Sequence, residues 1–187
     1  MTTEPVTVLT EFTPNPNSLK FNTNREFLAS GTAFFASVDK AANSPLAQKL
    51  FALGNIAEVF IGREFVTVTR SADVKSWAKI ISGATEVIRA QLESGEPAVV
   101  LAEVDPSAAA NESDIVRKII EVLDERIRPA VARDGGDIIF DSYEDGVVRL
   151  HLQGACSSCP SSTMTLKVGV ESMLKELVPE VREVIQA

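Results

Sequence analysis

Val147-Val148-Arg149-Leu150-His151-Leu152-Gln153-Gly154-Ala155-Cys156-Ser157-Ser158-Cys159-Pro160-Ser161-Ser162 joins a strand pattern to a helix start through a loop with paired cysteines. Val148, Leu150 and Leu152 fall on one side of an extended chain and Arg149 and His151 on the other, the period of a half-buried strand. Pro160 suits the first position of a helix, where its missing N–H is no loss, and so places Cys159 at or near the cap. Leu166, Val170, Met173, Leu174 and Leu177 continue a helical apolar face that stops before Pro179. Gly169 inside this helix costs about 1 kcal/mol against Ala, with close packing as its candidate purpose.

Upstream, residues 138–143 pair with 147–153 around Glu144-Asp145-Gly146 as a hairpin. Asp134-Gly135-Gly136-Asp137 is a turn, its carboxylates read as turn formers rather than cation ligands. Val116, Ile119, Ile120, Leu123 and Ile127 mark a helix that ends or bends near Pro129. A short strand over 181–185 closes the unit. Residues 114–187 are therefore expected to form a helix–hairpin–CxxC loop–helix domain.

Residues 102–113 have no apolar period and read as a linker. Before it, residues 1–101 hold eight of the nine Phe, all before residue 66, which points to a separate core. Strands are expected over 7–12 and 18–22, joined by Thr13-Pro14-Asn15-Pro16-Asn17, with a third over 33–36. Ser44-Pro45 opens a helix through Leu53, and 56–61 and 65–69 form a hairpin around Gly62-Arg63-Glu64. A helix over 73–93 puts Trp77, Ile80, Ile81, Ala84, Ile88 and Leu92 on one face. The expected fold class is α+β, two small α+β domains joined by a linker.

Composition excludes several functions. Apolar residues make 45% and charged residues 24%, as in ordinary soluble proteins. No apolar run approaches a membrane span, and Met1-Thr2-Thr3-Glu4-Pro5 lacks the features of a signal peptide. The net charge is −8, and it is concentrated beyond residue 100, where 9 basic face 16 acidic residues. That sign repels phosphate backbones, so neither nucleic acid nor membrane is an expected partner. There is no G-x-G-x-x-G or Walker-type loop.

Cys156 and Cys159 are the only cysteines in 187 residues. Near a helix start their thiolate forms are favoured, which suits metal binding, an iron–sulfur cluster or dithiol–disulfide exchange. A four-ligand site needs two more donors than one chain's thiolates supply. His151, on the polar side of its strand, is expected to be solvated rather than ligating. A two-fold dimer would bring four thiolates together. A disulfide across so short a loop would stabilise little.

Cys156-Ser157-Ser158-Cys159-Pro160-Ser161-Ser162, with Gln153-Gly154-Ala155 before it, resembles the Nfu family of iron–sulfur scaffolds and carriers related to the C-terminal domain of NifU. Arg128-Pro129, Asp134-Gly135-Gly136-Asp137 and Pro179-Glu180-Val181 agree with that family. Thr13-Pro14-Asn15-Pro16-Asn17-Ser18-Leu19-Lys20-Phe21, Ser44-Pro45-Leu46-Ala47 and Phe65-Val66-Thr67-Val68-Thr69 are similar to its N-terminal domain. The resemblance implies that Cys156 and Cys159 bind a 4Fe–4S cluster shared across a homodimer and pass it to apo iron–sulfur client proteins, alongside other assembly factors. A non-enzymatic carrier is thus expected. The alternatives are a CxxC dithiol–disulfide oxidoreductase, then zinc at a dimer interface. Met1 points to a bacterial cytoplasm rather than a mitochondrial matrix.

Overall fold

The structure, a computed structural model, describes residues 4–100, 113–157 and 160–187. It is mixed α+β, with two sheet-bearing regions and a C-terminal helical unit. The first region contains β1 (Val8–Phe12), β2 (Ser18–Thr23), β3 (Ala33–Phe35), α1 (Pro45–Phe51), β4 (Ile56–Ile61), β5 (Phe65–Arg70) and α2 (Ala78–Ser94). Its antiparallel sheet has the order β1-β2-β5-β4-β3.

Alternation sorts this sheet into two faces. Leu19, Phe21, Val59, Ile61, Val66 and Val68 pack on one side against Leu46, Ala47 and Leu50 of α1 and Ile80, Ala84 and Ile88 of α2. Ser44 starts α1 by accepting from the Ala47 N–H at 3.1 Å and donating to the Ala98 carbonyl at 2.7 Å. The chain after α2 is thereby tied to the same core. Helix α2 begins five residues later than the sequence pattern predicts. Arg70 lies 5.0 Å over the Trp77 ring and donates to the Lys75 carbonyl, which holds the intervening segment as a turn.

The second region contains α3 (Asp114–Val122), a π-helical turn (Leu123–Ile127), α4 (Arg128–Arg133), β6 (Gly136–Glu144), β7 (Val147–Gly154), α5 (Pro160–Leu177) and β8 (Glu183–Gln186). The predicted bend near Pro129 is this π turn, closed by the Arg128 N–H on the Leu123 carbonyl. The wider turn accommodates a proline that cannot donate. Strands β6 and β7 form the expected hairpin through Asp145 and Gly146, and β8 adds to β7 in parallel. Ile119, Leu123, Ile127, Val131, Ile138, Val148, Leu150, Val170 and Leu174 make a second core. Gly169 is exposed and a Cβ there would meet nothing within 4 Å among the described residues, so none of these packs closely against it. Of the expected linker, 102–112 lie outside the described residues, while Ser113 caps α3 by accepting from the Val116 N–H. No helix among the described residues is long and apolar enough to cross a membrane.

Candidate functional site

Cys156 lies two residues past the end of β7, on a turn where Ser157 donates both its backbone N–H and its hydroxyl to the Gly154 carbonyl, at 3.1 and 2.8 Å. Gly154 has φ +67°, and a Cβ on it would lie 2.6 Å from the Gly135 carbonyl oxygen and 3.0 Å from the Phe60 ring. A Cβ on Gly136 would lie 2.5 Å from the Gln153 carbonyl oxygen and 2.8 Å from Cys156 Sγ. Only glycines let the turn before β6 lie this close against the cysteine loop. The Ala155 N–H locks the two together by donating to the Gly135 carbonyl at 3.1 Å. The result is a Cys156 only 3% exposed.

Helix α5 begins at Pro160, as the sequence predicts. Cys159 lies outside the described residues, so its predicted place at the cap is not described. Among the described residues no group of three or more His, Cys, Asp and Glu could hold a metal ion. His151 sits 3.4 Å from Asp141 on the half-exposed side of the hairpin, as expected of a solvated residue.

Residues from the first region reach this loop. Asn15 Nδ2 donates to the Ala155 carbonyl at 3.0 Å, and the Ser157 hydroxyl shares its one proton between the Gly154 carbonyl and Glu58 Oε2, the latter at 3.2 Å. Lys20 Nζ donates to the Ala132 and Arg133 carbonyls at 2.9 and 3.2 Å, a cation at the negative end of α4. The same ammonium lies 4.5 Å over the Phe65 ring. Thr32 donates to Asp137 Oδ2 at 2.7 Å. Asp137, buried at 4%, also takes the Arg128 guanidinium, with Nε at 3.0 Å from Oδ1. Burial pushes the Lys20 ammonium below its ordinary pKa, against the pull of Glu11 and Asp134. Burial likewise raises the Glu58 carboxyl, opposed by hydrogen bonds from Ser157 and Thr69.

The sequence pattern placed Asp137 only in a turn and Asn15 only in an inter-strand loop. The structure gives both a long-range partner, and Lys20, Thr32 and Glu58 join them. The available signal was the alternation of Ser18 and Lys20, and of Thr67 and Thr69, which marks a polar sheet face without saying what lies on it.

A buried Cys156 on the turn after a hairpin, beneath a second sheet, marks a two-region α+β protein. Comparison with known proteins then fixes its relationship. The NifU-like domain family matches residues 119–185, and the family described as scaffold protein Nfu/NifU N terminal matches 8–95. The human protein named NFU1 iron-sulfur cluster scaffold homolog, mitochondrial, is 42% identical over 180 residues, covering 96% of this chain and 71% of that protein. Its namesake in Drosophila persimilis is 44% identical, covering 96% of this chain and 64% of that protein. NifU-like protein 4, mitochondrial, of Arabidopsis thaliana is 41% identical, covering 96% of this chain and 65% of that protein. The chain thus spans less than two thirds of the length of the last two. It belongs to the Nfu/NifU family of iron–sulfur scaffold proteins.

The expected bacterial cytoplasm is overturned, because these relatives are all named mitochondrial. Met1 was the wrong evidence. Nothing in the physical chemistry of an initiator methionine distinguishes one reducing compartment from another.

Proposed function

We propose that this chain is an iron–sulfur cluster carrier whose Cys156 and Cys159 hold a 4Fe–4S cluster as cargo between two copies, for transfer to apo-proteins. Family membership supports the cargo class. The observation that carries the finer proposal is the ligand count, since 187 residues contain two cysteines and a cuboidal cluster takes four thiolates. Two-fold pairing of CxxC loops meets that number with one kind of surface. Transfer follows by ligand exchange, client thiolates displacing those of Cys156 and Cys159 stepwise.

The division into an N-terminal domain over 1–101, a linker over 102–113 and a cluster-binding domain over 114–187 is part of the proposal. It is supported by separate family matches to 8–95 and 119–185, and by the two separate sheets.

Anaerobic reconstitution with iron and sulfide, followed by native mass determination, tests it. One 4Fe–4S cluster per dimer is expected, with Cys156→Ala or Cys159→Ala abolishing binding while leaving the fold nearly intact. A colourless monomer that turns over disulfides would reverse the assignment in favour of an oxidoreductase.

A further inference from the structure

The second face of the five-stranded sheet is written for water and yet covered. Ser18, Lys20, Thr67 and Thr69 alternate with the core residues of β2 and β5, the pattern of a half-solvated antiparallel sheet. They are nonetheless only 1%, 7%, 1% and 6% exposed. Across the strands they form two rows, Ser18–Thr69–Glu58 and Lys20–Thr67–Phe60, through the pairings of β2 with β5 and of β5 with β4. What lies on those rows is the cysteine loop and the turn before β6, touched by Glu58, Lys20 and Phe60, with Asn15 closing one end.

This contact differs from a core in one further respect. Thr67 Oγ1 is buried and has no hydrogen-bond partner among the described residues. It faces Gly135, where a Cβ would come within 2.9 Å of it. A buried orphan hydroxyl penalises the covered state and is relieved once water reaches it. A buried lysine, threonine-rich rows and an orphan donor describe a separable inter-domain surface rather than a permanent one.

We infer that the polar face of the N-terminal sheet is an intramolecular latch, which holds the Cys156 loop shut and must lift before that thiol can meet a ligand from another molecule. The latch competes with any second loop for the same surface of residues 154–157. Its use in controlling cluster loading rests on the carrier role proposed above, but closure itself is a property of the metal-free chain.

The test is alkylation of Cys156 by iodoacetamide in the reduced, metal-free full chain, resolved from Cys159 by tandem mass spectrometry. A buried thiol reacts from the open state, so its rate reports the open fraction. Lys20→Glu sets a carboxylate against the α4 carbonyls and Asp134, and should speed alkylation at least about tenfold, the scale of one lost charge-assisted hydrogen bond. Thr67→Val removes the orphan hydroxyl at nearly constant shape, and should slow alkylation several-fold. Opposite signs exclude simple destabilisation, since a damaged fold only exposes the thiol. Equal rates in all three proteins, with circular dichroism unchanged, would overturn the latch, as would faster alkylation in Thr67→Val. Cluster reconstitution plays no part in this measurement, so failure of the carrier proposal leaves its outcome unaffected.

Discussion

On one face of the five-stranded sheet, Leu19, Phe21, Val66 and Val68 are sealed by α1 and α2. On the other, Ser18, Lys20, Thr67 and Thr69 are buried almost as completely by the cysteine-bearing region. Equal burial conceals unequal chemistry. Removing apolar side chains from water is non-directional and grows with area, so the first face holds together however its atoms are arranged in detail. The second depends on a few aimed contacts, each with a modest net contribution and a larger penalty when left unmade. One face makes a core, and the other makes a contact between the two sheet-bearing regions.

Truncation on the apolar face should have the largest effect. Phe21 is 0% exposed, and Phe21→Ala should lower the unfolding free energy by about 3–5 kcal/mol. Urea denaturation measures this. A loss below 1 kcal/mol would mean that the sheet and helices do not form a packed core.

Next comes Asp137, which binds both regions by accepting from Arg128 of α4 and Thr32 of the first region. Asp137→Ala should cost about 1.5–3 kcal/mol, the range for hydrogen bonds to a charged group. The Arg128 side chain is 36% exposed and can recover water, which keeps the loss below that of a fully buried pair. Asp137→Asn should recover part of it by keeping the Thr32 hydroxyl as a donor. Equal losses in the two variants would show that a neutral acceptor for Thr32 and the Ile138 N–H recovers nothing.

Asn15→Ala should act more weakly, at the contact and at the local turn where Asn15 Oδ1 accepts the Asn17 N–H at 3.0 Å. Loss of the bond to the Ala155 carbonyl, worth about 1 kcal/mol, should raise amide exchange over 154–157 about fivefold. Strands β2 and β5 should keep their protection. An increase spread evenly over the first region would place Asn15 with the core rather than the contact.

The two faces were also unequally legible. The alternation of Leu19 and Phe21, and of Val66 and Val68, announces strands and a buried side, because strand period and burial are local properties. Pro160 announced the start of α5 for a similar reason, its missing donor. Nothing local reveals the cover on Lys20 or Thr67, since polar residues at strand spacing describe a solvated face equally well. Asn15 meets its partner 140 residues along the chain and Thr32 meets Asp137 at 105, separations beyond any sequence window. The cysteine spacing is visible in the sequence, but the glycines that bury Cys156 acquire that meaning only once Gly135 and Gly136 lie against it.

The subtlest difference between the faces is electrical, because only the polar face carries ionisable groups near the contact. Burial raises the Glu58 carboxyl above its ordinary 4.5, so the covered state prefers the neutral acid. Below the unfolded pKa both states hold the proton, and the contribution of Glu58 to stability is fully present. As pH rises through the raised folded value, the covered carboxyl must ionise in a poorly solvated place, and that contribution is lost. Glu58→Gln keeps an acceptor for Ser157 and never ionises. The wild-type chain should therefore lose stability relative to Glu58→Gln as pH rises from about 4.5, and the gap should level off once ionisation is complete. Urea midpoints of the two proteins between acid and neutral pH give this difference directly, with the other carboxylates cancelling. A gap independent of pH would mean that Glu58 keeps enough water to ionise freely, and would place it at the rim of the contact rather than beneath it.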